Sequence, residues 1–511
     1  MKKSVLLSAL IAISLGAGAQ VVNAVPDSGE LRRPFGEWDR KMFERPTKSY
    51  YPETWFHFLN GSVGSKGITA DLKAIAEAGF AGVQFFHGQQ GNPADWPGTE
   101  EHIECLSPKW ESLVRQTAEE ANRLGLRFTI QTCPGWAMSG GPWIKPEQAM
   151  RNLTYTRTDV EGGKQVKVNL PVKEMQDWRD YQDLMVLAFP TPEGDTGTFL
   201  RTEKVTASDH QKEWELCLNG NLQGSFQLKP TTKAHPYTID ITLPEETVVR
   251  SLEFNPIDRF NHEFGVDPAI HVKMEALTAD GTRKLLETDM PMANWQDTDY
   301  TMTFALDECK ARRFRLEITN EHDMNVSSLR LYSAARKNNW EGEAGWTSRS
   351  IDREAEHPKQ SKAAFVQRVD IRDLTRQLSP DNTLIWDAPA GKWTILRIGH
   401  VNTGQRNGPA PAEATGWEVN KFDTEYVDFQ FNSYVGRLNA GPLKGLLHNM
   451  LMDSWECRSQ TWTRRMPEEF QRVSGYELKT WIPALFGYVI DDHERTSEFL
   501  CDWRMTQNDL S

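Results

Sequence analysis

Three short apolar runs, "TWFHFLNG" at 54–61, "AGVQFFH" at 81–87 and "LRFTIQT" at 126–132, alternate with amphipathic helical patterns. Continuous apolar runs of this length are expected of strands covered on both faces. Between the first two, "GITADLKAIAEAGF" puts Ile68, Leu72, Ile75 and Ala76 on one helical stripe, with Gly79 as a stop signal. Before the third, "SPKWESLVRQTAEEANRLG" offers Ser107 as a cap, Pro108 at the first helical position and Gly125 just past the end. Its stripe is Trp110, Leu113, Val114, Ala118, Ala121 and Leu124. Repeated strand, helix, strand units restrict the chain to an α/β core, either an open sheet or a barrel. In both, a site is expected at the carboxyl ends of the strands. Those ends are Asn60, His87 and Thr132 to Trp136, where the third strand runs into the loop "CPGWAMSGGPWIKPEQAM".

The texture changes near residue 151. Segments such as "NLTYTRTDV", "DLMVLAFPT", "AIHVKMEAL" and "WTILRIGHV" are short, rich in β-branched residues and punctuated by Gly, Pro, Asp and Asn. They predict an all-β region, sandwich-like and inserted, because "GPLKGLLHNMLMD" then reads as a fourth buried strand and "PEEFQRVSGYELKTWIPAL" as helix. The expected organisation is a first α/β part over 25–150, a β-rich insert over 151–435 and a resumption of the α/β part over 436–511. Only about four strands lie outside the insert, whereas a barrel of eight units takes around 250 residues.

Residues 1–24 carry Lys2 and Lys3, then an apolar stretch, then small residues. This is the order of a secretory signal peptide, and the stretch falls short of the roughly 20 residues a bilayer core needs. An exported protein, periplasmic or extracellular, is the expectation, with no membrane partner after cleavage. A net charge of −13 and the lack of a basic run argue against nucleic acid. Six cysteines without a CxxC pair predict buried free thiols, and Cys133 is not expected to be a nucleophile. His57 and His87 show no zinc spacing. His57 reads as a satisfied core residue and His87, at a strand tip, as a ligand contact.

A saccharide needs flat aromatic faces, amides and carboxylates for its hydroxyls, and an acid for the leaving oxygen. The predicted tips supply Asn60, His87, Trp136, Ser139, Trp143, Asp453, Ser454, Trp455 and Glu456. Glycoside cleavage needs two carboxyl groups flanking one bond. Asp453 and Glu456 make a poor pair, because an odd separation along a continuing strand sends them to opposite faces. Glu413 and Glu418, in "GPAPAEATGWEVNKFD", are the other carboxylates within reach of the core, and read more simply as groups of a solvated loop.

Taken together, "WFHFLNGSVGSKGITADLKAIAEAGFAGVQFFH", "CPGWAMSGGPWIKPEQAM", "GKWTILRIGHVNTG" followed by "ATGWEVNKF", and "MDSWE" followed by "GYELKTWIPALFG" resemble glycoside hydrolase family 106, the inverting α-L-rhamnosidases. The resemblance runs from about residue 48 to the end. It implies a partial (β/α)8 barrel of about four strands interrupted by a sandwich-like domain, a calcium ion near the site, and hydrolysis of terminal α-L-rhamnose from pectic polysaccharides or rhamnosides. It also implies Glu456 as general acid and a sugar-facing loop from Gly135 to Gly141. Family members are about twice as long, and the Glu resembling their general base would sit on a later strand outside this sequence. The expected partners are therefore a rhamnose-containing glycan and the missing C-terminal half, and this chain alone is expected to be nearly inactive. The alternative is a carbohydrate-binding remnant that cuts nothing.

Overall fold

A computed structural model describes residues 32, 34–91, 102–257, 269–292, 296–297, 301–352 and 356–511. The expected signal peptide over 1–24 lies outside the described residues. The chain forms two compact units, the first made of residues up to 149 with 404–419 and 424–457, the second of 150–403, 420–423 and 458–511.

The first unit is built on four parallel strands in the order β1 (Glu53–Leu59), β2 (Gly82–Gly88), β3 (Arg127–Gln131) and a last strand, Asn449–Leu451. All four expected strands are present, joined through α1 (Ser65–Glu77) and α2 (Pro108–Arg123). The signals written into α2 operate as local chemistry predicts: Ser107 Oγ accepts from the Trp110 backbone N–H at 3.2 Å, and Pro108 opens the helix. Gly125, at φ +69°, ends it in the left-handed conformation. Phe56, Phe58, Val83, Phe85, Phe128 and Ile130 pack with Ile68, Leu72, Trp110, Val114, Ala118 and Ala121 in one core.

Side chains alternate along a strand, so the partners of that core point the other way. Glu53, Trp55 and His57, register neighbours of Gly82, Gln84 and Phe86, share the second face with Arg127 and Thr129. That face is polar and aromatic. Glu53 receives the Arg127 guanidinium at 2.6 Å and the Thr129 hydroxyl at 3.3 Å, and Trp55 is 58% exposed.

The second unit's strands pair antiparallel throughout, among the described residues. One sheet has seven strands, in which the long strands Tyr237–Ile257 and Met302–Thr319 pair with register breaks. A second sheet joins Arg372–Asp373, Gln182–Pro190, Lys392–Asn402 and Arg151–Glu161. Its apolar face shares a core with the ribbon Lys164–Asn169 and Thr383–Ala388, through Leu170, Val186, Leu384 and Trp393. The insert is thus β-rich as expected, but divided into separate antiparallel assemblies.

The expected boundaries shift at the far end. Residues 404–419 already belong with the parallel sheet, and the expected resumption over 436–511 holds only as far as Cys457. From Arg458 the chain packs with the second unit: in the helix His493–Leu510, Trp503 is fully buried and donates its indole N–H to the Ala344 carbonyl at 2.9 Å. The described strands close no barrel. None of the described helices is long and apolar enough to cross a membrane.

Candidate active site

Two loops meet at the tips of the parallel strands. The Gly-Trp loop after β3 is tied down by side chains of its own strand end: Gln131 Nε2 donates to Ala137 O at 2.7 Å and the Thr132 hydroxyl to Met138 O at 2.6 Å. Cys133, fully buried, donates to Ala137 O, so it is a packing thiol as expected. Gly135 N donates to His87 O at 2.7 Å, docking the loop on β2. The 404–419 loop closes over it. Asn407 Nδ2 donates to the carbonyls of Pro134 and Ala414, both at 3.0 Å, and its oxygen accepts from Gly416 N at 2.7 Å. The backbones approach so closely that a Cβ on Gly416 would stand 1.8 Å from Gly141 O, and one on Gly140, at φ +108°, 2.7 Å from Trp417 O.

This closure draws in a residue the sequence undervalues. Glu418 is not a solvated loop carboxylate; it is fully buried and accepts the Ser139 hydroxyl at 2.6 Å. The pair lies 279 positions apart, so no local pattern could reveal it. Glu413, by contrast, is exposed and accepts from Cys105 N at 2.9 Å. Trp143 donates to Gln430 Oε1 at 2.8 Å and stacks on Tyr434 with centroids 5.7 Å apart. Tyr434 sits in a π-helical turn, Asn432–Gly436, which carried no signal in the sequence.

The other tip residues take distinct places. Asn60, at φ +54°, uses its amide on the backbone of Gln90, oxygen to N–H at 2.7 Å and nitrogen to carbonyl at 2.8 Å; it staples two loops. His87 is 1% exposed, on the helix side of the sheet, and accepts the Trp110 indole N–H at Nδ1, 3.0 Å away. Burial lowers its pKa to about 4. The expected ligand contact is therefore a core group. His57, expected in the core, lies instead on the second face, half-buried, with Nε2 accepting the Trp136 indole N–H at 3.1 Å.

The strand Asn449–Leu451 ends before the acidic stretch, so the alternation argument against Asp453 and Glu456 does not apply. Both carboxylates turn toward one hydroxyl: Ser454 Oγ lies 3.2 Å from Asp453 Oδ1 and 3.1 Å from Glu456 Oε1. Asp453 also caps Ser454 N at 2.8 Å. Glu456 is exposed, Asp453 and Trp455 are half-buried. No hydrogen bond or ring contact among the described residues joins Glu456 to Trp136 or His87. Nor do three His, Cys, Asp or Glu side chains converge, among the described residues, as a cage for the calcium implied by the resemblance.

Carboxylates, a hydroxyl and tryptophans at the carboxyl tips of parallel strands are residue types that saccharide sites use. Residues 44–511 match the model of glycoside hydrolase family 106, alpha-L-rhamnosidase, and the chain belongs to that family. A solved rhamnosidase from Novosphingobium sp. PP1Y is similar over 92% of this chain, with a TM-score of 0.73 and 26% identity. A "Putative beta-glucuronidase" of Formosa agariphila is 27% identical over 504 residues, 98% of this chain. The chain spans only 44% of the rhamnosidase and 30% of the Formosa protein.

Proposed function

We propose that the chain is part of an exported α-L-rhamnosidase, its parallel sheet contributing four strands to a (β/α)8 barrel. The reading is carried by the hydrogen-bonded trio Asp453, Ser454 and Glu456 at the end of the last parallel strand, in a chain of this family. Glu456 protonates the glycosidic oxygen as the bond to the rhamnosyl carbon breaks. Ser454 orients that carboxyl, and Asp453 fixes Ser454. A second carboxylate from outside this sequence, about 6.5–9.5 Å away, takes a proton from water as it attacks the opposite face, inverting the anomeric centre. Trp136, Trp455 and the Ser139 loop frame the sugar, and Asn60 and His87 support the loops from behind. Calcium enters this reading only as an expectation from the family resemblance, and no described residue is assigned to it.

An aryl α-L-rhamnoside tests this. The chain alone is expected to bind L-rhamnose and release negligible aryl alcohol; brisk release would overturn the missing base. In a complete enzyme containing this sequence, Glu456→Gln is expected to lower kcat by about 10²–10⁴-fold on substrates with poor leaving groups. An unchanged kcat would remove Glu456 from the mechanism.

A further inference from the structure

Strand parity separates His57 from its immediate neighbours Phe56 and Phe58 in "TWFHFLNG". Phe56 and Phe58 enter the helix-covered core, whereas His57 shares the second face with Trp55 and Phe86. Its ring meets three others: Trp55 at 5.4 Å and Trp136 at 5.7 Å, both edge-on, and Phe86 at 5.2 Å. Trp55 opens this cluster to solvent.

An indole N–H can only donate. Trp136 Nε1 lies 3.1 Å from His57 Nε2, so that nitrogen must present its lone pair. In the neutral ring the single proton then resides on Nδ1. Among the described residues, no carboxylate pairs with His57 to draw a second proton, and burial moves its titration down from the ordinary histidine value. Nδ1 has no hydrogen-bond partner among the described residues, and it is not one of the buried side-chain nitrogens sealed away without one.

We propose that His57 is a sugar-binding residue that donates a hydrogen bond through Nδ1–H to a saccharide oxygen, with Trp136 as the positioning residue that fixes its tautomer. The aromatic edges around it suit the C–H faces of a pyranose, and a neutral donor suits a hydroxyl or ring oxygen better than a uronate carboxylate, which favours a cation. The inference rests on the carbohydrate reading of this site. It adds a residue and a preference for an uncharged sugar.

Two substitutions divide the imidazole. His57→Gln places an amide oxygen near the old Nε2, keeping an acceptor for Trp136 and losing the Nδ1 donor. His57→Asn places an amide N–H near the old Nδ1 and abandons Trp136. Binding of L-rhamnose to the whole chain, followed by calorimetry, is expected to weaken at least tenfold in H57Q and to recover most of its affinity in H57N. The reverse order would mean that His57 merely props Trp136, and no change in either, or equal loss in both, would mean that no Nδ1–H donor reaches the sugar; each overturns the proposal.

Nitrogen-15 spectra of the unmodified chain need no variant. They should show Nδ1 protonated, and its resonance should move on adding L-rhamnose. If L-rhamnose binds and Nδ1 stays still, this inference fails and the rhamnosidase reading survives. If L-rhamnose does not bind and another neutral monosaccharide binds and moves Nδ1, the rhamnose assignment fails and the donor survives. If no sugar moves it, the inference is overturned whatever the enzyme proves to cut.

Discussion

The first unit contains the same bond twice. Trp110 donates its indole N–H to His87 on one side of the sheet, and Trp136 donates to His57 on the other, at 3.0 and 3.1 Å. The pairs differ in which ring nitrogen is occupied and in what surrounds them. Trp110 and His87 are 0% and 1% exposed amid Phe58 and Phe85. Trp136 and His57 are half-buried, beside the exposed Trp55. One bond is a satisfied polar contact within a hydrophobic core, the other fixes a donor at a surface. Chemistry alone does not distinguish them; the face of the sheet does.

The largest expected effect breaks the buried pair. Trp110→Ala removes a fully buried indole and leaves His87 Nδ1 without its donor. Cavity creation alone costs about 3–5 kcal/mol. Urea unfolding should register that loss, whereas Trp136→Ala should cost clearly less; equal costs would refute the division between core and surface.

Next comes acid. Because the folded pKa of His87 lies near 4, below the unfolded value of about 6.5, its contribution is present above pH 6.5 and is lost as pH falls through 4. The full loss is roughly 3 kcal/mol at 1.36 kcal/mol per unit. His87→Asn keeps an acceptor for Trp110 and does not titrate, so the difference between wild type and H87N should open only below pH 6.5. Taking that difference matters, since Glu341 in the second unit works with the opposite sign. Burial pushes its pKa up to about 7, so its contribution is full below the unfolded value of about 4.5 and is lost as pH rises through 7. A stability difference that is flat with pH would show that His87 is not buried as a neutral ring.

Much of the first unit was legible because its signals are local. Ser107, Pro108 and Gly125 bracket α2 by capping chemistry, and the periodic stripe of Trp110, Val114, Ala118 and Ala121 forms its buried face. All four parallel strands were readable as apolar runs. That same reading concealed the parity of "TWFHFLNG", in which a run called covered on both faces hid one face that is polar and aromatic. His87 accordingly lies in the helix-covered core and His57 on the polar face, the reverse of the expected placement. Counting by twos from Phe56 and Phe58 would have separated them. The burial of Glu418 and the allegiance of the last helix were beyond reach, as both depend on partners more than 150 positions away.

A smaller effect probes the loop that carries Trp136. Ser139→Ala removes the hydroxyl bonded to the buried Glu418 side chain, a loss of about 1–3 kcal/mol for a buried acceptor deprived of its donor. If Ser139 shapes the surface side, the same variant should also loosen Trp136, visible as altered tryptophan fluorescence quenching. A change in stability with no change at Trp136 would confine Ser139 to scaffolding.

The smallest stability change belongs to Trp136→Phe, and it separates the two bonds most finely. Phenylalanine keeps an aromatic ring near His57 and removes only the N–H, so unfolding should shift by about 0.5–1.5 kcal/mol. What changes is the imidazole. Without the indole proton, Nε2 no longer has to present its lone pair, and both neutral tautomers become accessible. Nitrogen-15 shifts of His57 should therefore move toward an average of the two forms, while those of His87, still held by Trp110, stay fixed. Were His57 to keep its Nδ1 proton in W136F, some group other than Trp136 would be setting the tautomer. The resemblance between the two Trp–His bonds would then be geometric only.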